Sequence, residues 1–257
     1  MPVIPETRIA GSLHEWAQDA AAFIHSVSEQ VIKSHGRFII ALSGGSTPKT
    51  LYQVLATPEW KVRLDWSRIF FLFGDERCVP PDHPESNFKM AYTSLFQPLN
   101  IHLDHISRMK GEYEDSTAAA REYEESIRRV TNDPSKVPLI DLVLLGLGDD
   151  GHTASLFPGT AALQEQNKIV TVGHAPIGIK SRLTLTLRVL NHAAVVLFLV
   201  TGSGKAEMAR RVIESESEAD RSLPAAKISP KSGRLVWMLD QAAAQQLTKR
   251  RSPGESA

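Results

Sequence analysis

One cysteine, Cys78, leaves no partner for an intramolecular disulfide in a chain of 257 residues, and that scarcity fits a reducing compartment. Net charge is missing too, since 29 lysines and arginines offset 29 aspartates and glutamates. No overall field therefore draws nucleic acid or an anionic membrane, and an anionic ligand needs a local positive site. Long apolar runs are absent: residues 193–200 form the most apolar stretch, far short of the roughly 20 needed to span a membrane. The first residues show no basic start followed by an apolar core, so no secretory signal is expected. These absences predict a cytoplasmic protein with no membrane or nucleic-acid partner. Disorder, collagen and coiled coil are excluded by 42% hydrophobic and 23% charged residues.

What is present alternates between helical and strand-like patterns. Ser12 and Glu15 open a helix carrying Leu13, Trp16, Ala20, Phe23, Ile24, Val27 and Val31, and Gly36 closes it. Strand-like runs occupy residues 37–42, 68–73, 139–145, 169–172, 182–187, 194–200 and 234–239. Helical patterns cover residues 86–95, 116–130, 205–214 and 241–249, and Pro48 suits the first turn of another helix. Apolar strands between amphipathic helices predict an α/β fold with a mostly parallel sheet covered on both faces. A single domain over residues 9–249 is expected, with residues 1–8 and 250–257 as flexible ends and Lys249, Arg250 and Arg251 as a solvated cluster.

Ligands of open parallel sheets bind beyond the carboxyl ends of the strands, and three runs end in informative loops. The first carries Ser43, Gly44, Gly45, Ser46 and Thr47 before Pro48. Its glycines permit close backbone approach, and the helix start supplies free N–H groups for a phosphate. The second run ends in Asp75, Glu76 and Arg77. Arg77 is suited to bidentate phosphate binding, the alternative being a self-satisfied ion cluster. Acidic neighbours argue against Cys78 as a nucleophile.

The third loop runs from Gly146 through Gly148, Asp149, Asp150, Gly151 and His152. Its glycines match a dinucleotide fingerprint, but two aspartates facing a pyrophosphate would repel it. What remains is a carboxylate, Asp150, two residues before His152. Neutral imidazole takes a proton from water at neutral pH, and a carboxylate orients its other nitrogen. In a fourth loop, Lys205 follows a glycine turn in a P-loop-like position. Ala206 stands where a magnesium-binding hydroxyl belongs, so the turn reads as a phosphate contact without metal. Cys and His residues show no metal-ligand spacing, and the serine hydrolase elbow is absent. No metal or cofactor is expected. Acid–base chemistry on a reactive substrate is left.

Six segments, in order over residues 11–249, resemble 6-phosphogluconolactonases. They are Leu42–Pro48; Gly74–Arg77 with Asp82–Asn87; Gly146–Gly159; Arg182–Leu187 with Leu190 and Asn191; Gly204–Lys205; and Trp237–Ala243. The resemblance implies a Rossmann-like three-layer sandwich, similar to glucosamine-6-phosphate deaminase and ribose-5-phosphate isomerase. It implies hydrolysis of 6-phospho-D-glucono-1,5-lactone to 6-phosphogluconate in the oxidative pentose phosphate pathway. His152 is then the base that activates water, with Asp150 beside it as orienter or water ligand. Ser43, Gly44, Gly45, Ser46, Thr47, Asp75, Arg77, Arg182 and Lys205 are the implied substrate and phosphate contacts. Which of the basic residues grips phosphate and which polarises the carbonyl stays open, as does the oligomeric state. Two rivals are a ring-opening deaminase, whose family carries Glu where this chain has Phe157, and a phosphosugar sensor without turnover.

Overall fold

A computed structural model describes residues 5–133, 135 and 137–248. Six strands form a parallel sheet in the order β1 (Glu6–Ala10), β9 (Arg234–Asp240), β8 (Val195–Val200), β5 (Leu142–Leu145), β2 (Phe38–Leu42) and β3 (Ile69–Phe73). β2, β5 and β8 are buried along their whole length, as strands covered on both faces must be.

Two helices run with the connections that step toward β3: α1 (Leu13–His35) and α2 (Ser46–Leu55). Helices Ser116–Thr131 and Ala206–Glu214 belong to connections stepping the other way. Right-handed crossovers therefore put the two sets on opposite faces of the sheet, giving three layers. α1 begins where Ser12 Oγ accepts the Glu15 N–H at 3.2 Å and ends at Gly36, whose φ of 79° is left-handed. Trp16 is fully buried and donates its indole N–H to the Met238 carbonyl at 2.9 Å, tying α1 to β9.

Several expectations need correction. Residues 6–8, expected to be flexible, lie in β1, which pairs in parallel with β9 from Glu6 opposite Val236 to Ala10 opposite Asp240. Their local pattern is short and polar, so only the waiting edge of β9 makes them a strand. Residues 241–246 form turns instead of the expected helix, because Asp240 accepts the Ala243 N–H and holds the chain in a tight bend. The runs at 169–172 and 182–187 do not join the parallel sheet. They become β6 (Val170–His174) and β7 (Ser181–Leu185), an antiparallel pair that takes β4 (Asp75–Arg77) on its other edge. Residues 249–257, including the basic cluster, lie outside the described residues.

Gly74 joins the two sheets. Its N–H donates to Leu42 O in the parallel sheet and its carbonyl accepts from Leu185 N in the small one, both at 2.8 Å. No helix among the described residues is long and apolar enough to cross a membrane.

Candidate active site

β2 leads onward to β3 on one side and β5 to β8 on the other, so the chain parts above the carboxyl ends of β2 and β5. Such a switch point is where open α/β sheets leave a crevice. A cleft of about 220 Å³ lies there, lined among others by Ser43, Gly44, Gly45, Asp75, Arg77, His152, Arg182 and Lys205. Residues from all four sequence loops and from the small sheet thus meet in one place.

The β5 loop ties itself around His152. Gly148 N–H donates to His152 O at 2.8 Å, Gly151 N–H to Gly148 O at 3.1 Å, and Thr153 Oγ1 to Gly146 O at 2.9 Å. Asp150 Oδ1 accepts the His152 backbone N–H at 3.0 Å, an Asx turn, and the same oxygen lies 2.5 Å from His152 Nδ1. With an acceptor at Nδ1, the neutral ring carries its proton there and keeps a lone pair on Nε2. Partial burial works to raise the Asp150 carboxyl, but the His152 N–H and ring outweigh it and hold the carboxyl below its ordinary value. Asp150 is therefore ionised at neutral pH.

The ring also rests directly on Gly148. A Cβ there would stand 2.0 Å from His152 Nδ1 and 2.2 Å from Cε1, inside the imidazole. Gly148→Ala is expected to displace the ring, leave the circular dichroism spectrum intact and lower kcat by about 10²-fold, the usual penalty of a misplaced catalytic group. Full activity in that variant would mean the ring need not sit there.

The β2 loop is clamped by Tyr52 of α2, whose buried hydroxyl donates to Ser43 O at 2.8 Å and accepts Ser43 N–H at 3.0 Å. Burial pushes this phenol far above its usual pKa. Gly44 lies so close to Asn87 that a Cβ would be 1.9 Å from its Oδ1. Asn87 Nδ2 in turn donates to the Asp75 carbonyl at 2.9 Å, and Ser155 Oγ donates to Asp75 Oδ2 at 2.6 Å. Asp75 is thus the buried knot joining three loops beneath the cleft.

Glu76 faces away from this knot and organises the next segment. Its carboxylate accepts the N–H groups of Arg77, Asn87 and Phe88 and the Ser86 hydroxyl, at 2.7–3.0 Å. Burial pushes its pKa up, while these four donors draw it back. Glu76→Gln would turn an NH2 group toward two of the donors. It is expected to cost about 1–3 kcal/mol of stability, the penalty for stranded donors, read as a lowered urea midpoint. An unchanged midpoint would show those donors satisfied elsewhere.

Register brings two arginines together. β4 and β7 are antiparallel with Arg77 directly opposite Arg182, a placement that sets like charges side by side and is ordinarily unfavourable. Arg182 is 8% exposed, and the buried Nε atoms of both residues have no protein partner. Arg77 spends only one bond locally, from Nη1 to Glu85 O at 2.6 Å. Burial pushes the Arg182 pKa down, and the nearby charge of Arg77 adds to it. Two adjacent guanidinium groups, one of them buried, thus keep donors that the protein does not use.

Other expected contacts fall differently. Lys205 is not free: its Nζ lies 2.5 Å from Asp149 Oδ1, a bond between the β8 and β5 loops. Ser46 and Thr47 line an adjoining recess of about 140 Å³ and not the cleft with His152, and Thr47 Oγ1 is 2.7 Å from Thr201 Oγ1. The two recesses share Gly44, Gly45, Gly146, Leu147 and Lys205. Asn87, Ser155 and Phe157 were missed as site residues. Only their presence inside the quoted segments marked them, because their work depends on distant partners. Among the described residues no group of His, Cys, Asp and Glu is placed to hold a metal ion.

Residues 11–237 match the family model described as glucosamine-6-phosphate isomerases/6-phosphogluconolactonase. A 6-phosphogluconolactonase from Nostoc sp. is 40% identical over 221 residues, covering 86% of this chain and 89% of that protein. The solved 6-phosphogluconolactonase from Trypanosoma cruzi superposes with a TM-score of 0.83 at 32% identity, covering 97% of this chain and 99% of the other. A monomeric glucosamine-6-phosphate deaminase, at 22% identity and a TM-score of 0.78 over 94% of this chain and 99% of its own, shares the fold.

Proposed function

This chain belongs to the glucosamine-6-phosphate isomerase/6-phosphogluconolactonase family, and we propose that His152 carries its reaction as a general base. The reaction is hydrolysis of 6-phospho-D-glucono-1,5-lactone to 6-phosphogluconate in the oxidative pentose phosphate pathway. One observation carries the assignment: His152, bonded to Asp150, lines the same cleft as Arg77 and Arg182, whose Nε atoms have no protein partner.

The substrate's phosphate dianion binds between Arg77 and Arg182, whose free donors match its oxygens bidentately. Lys205 and the Ser43, Gly44 and Gly45 backbone complete the wall that positions the ring. His152 Nε2 removes a proton from water as its oxygen bonds to the lactone carbonyl carbon. Asp150 stabilises the imidazolium that results. The tetrahedral intermediate then expels the ring oxygen, which takes the proton back from His152, and the new carboxyl group ionises. A lactone needs positioning and a base more than a covalent nucleophile. Base catalysis contributes about 10²–10⁴-fold, and phosphate binding energy holds the carbonyl near the base. Phe157, against His152, offers no further acid–base group of the kind a ring-opening reaction requires.

The reading extends to one catalytic domain that includes β1 from Glu6 onward, working without metal or cofactor. A cytoplasmic location is supported by the single unbridged cysteine, and the absence of a nucleic-acid partner by the balanced charge. The test is the decay of freshly generated lactone at neutral pH with and without the protein. Acceleration above spontaneous hydrolysis is expected. Saturable binding with no acceleration would instead mark a sensor.

A further inference from the structure

The His152 ring is held at three places, and only one of them is a hydrogen bond. Asp150 fixes the Nδ1 edge and the Gly148 backbone lies against the ring. The third is Phe157, whose ring centroid is 4.4 Å from that of His152 with the planes inclined by 37°. Phe157 is 7% exposed, yet it is not part of the apolar cluster that forms the sheet's core, although its neighbour Leu156 is. An aromatic ring buried away from the core and against an imidazole has been placed for the imidazole.

We propose that Phe157 is a positioning residue that holds His152 in its productive rotamer. The proposal rests on His152 being the general base. Hydrogen bonding to Asp150 leaves the ring free to swing about the Nδ1 contact, and Gly148, lacking a side chain, bounds it only through its backbone. A flat ring at van der Waals distance removes that freedom, and aromatic pairs at this separation attract one another. The segment that presents Phe157 is itself constrained. Ala154 has a left-handed φ of 48°, and Thr153 and Leu156 form an isolated bridge just before the ring. Holding the ring matters because the base must meet water in one direction.

The experiment compares wild type with Phe157→Ala, Phe157→Leu and Phe157→Tyr, and with His152→Ala and the His152→Ala/Phe157→Ala double variant, using freshly generated lactone with spontaneous hydrolysis subtracted. Phe157→Ala is expected to lower kcat about ten- to a hundredfold with KM within about twofold. Phe157→Leu keeps bulk without a flat face and should lose nearly as much, whereas Phe157→Tyr restores the rate. In the His152→Ala background, Phe157→Ala should have no further effect. Imidazole ring NMR gives a readout apart from activity: His152 should show one sharp set of ring signals in wild type and exchange-broadened signals in Phe157→Ala.

Three results would overturn the proposal while leaving the base assignment intact. One is a Phe157→Ala change confined to KM. Another is an equal further loss in the His152→Ala background, and the last is an equally sharp set of His152 ring signals in Phe157→Ala. If His152→Ala itself retained full kcat, the general-base reading would fall instead, whatever the Phe157 variants did.

Discussion

His152→Ala is expected to lower kcat by about 10²–10⁴-fold, the usual share of a positioned base, with KM nearly unchanged and the fold intact. The side chain is partly exposed and bonds only to Asp150, its loop neighbour, so the native core loses nothing. Residual turnover should remain above the spontaneous rate, because the cleft still orients the lactone. Asp150→Asn should fall between wild type and His152→Ala. The amide still accepts from Nδ1–H but no longer offers a charge to the imidazolium. Since the Asp150 carboxyl is held below its ordinary pKa, its charge persists at neutral pH and is lost only on acidification past the usual carboxylate range. A folded His152→Ala enzyme with wild-type kcat/KM would end the assignment.

Arg182→Met is expected to move activity and stability in opposite directions. The guanidinium is buried beside Arg77 with its Nε unpaired. An apolar side chain of similar length removes both the desolvation penalty and the repulsion. Stability should rise by about 1–3 kcal/mol, within the range seen when buried charges give way to apolar groups. Turnover should collapse. Two charge-assisted bonds to phosphate, each about 1.5–3 kcal/mol, correspond to roughly a 10²–10⁴-fold fall in kcat/KM at 1.4 kcal/mol per decade. Part of that fall should appear in kcat, since phosphate binding also positions the distant carbonyl. Urea unfolding and steady-state kinetics on one preparation decide it. A destabilised variant with unchanged kcat/KM would make Arg182 a structural residue.

Much of the molecule is legible in its sequence. Asp150 and His152 are two residues apart, so an Asx turn brings them together whatever the rest of the chain does. Ser43, Gly44 and Gly45 announce a strand-to-helix turn by composition alone, and Gly45 indeed has a φ of 105°. Arg182 was found only through its motif position, because nothing local says that Arg77 will lie across the ladder from it. Lys205 reads from its glycine turn as a phosphate contact, and nothing local announces its pairing with Asp149, a partner in another loop.

The division follows the range of the forces. Apolar periodicity, caps and glycine turns act over a few residues, and they determined the alternation of strands and helices and the chemical character of each loop. Sheet order and register arise from packing between segments far apart in the chain. They alone made residues 6–10 a strand on the edge of β9 and carried the backbone from one sheet to the other at Gly74. Packing also set two arginines opposite one another. Like charges set side by side cost stability wherever they meet, so only a tertiary structure that over-determines the surrounding backbone can keep them there.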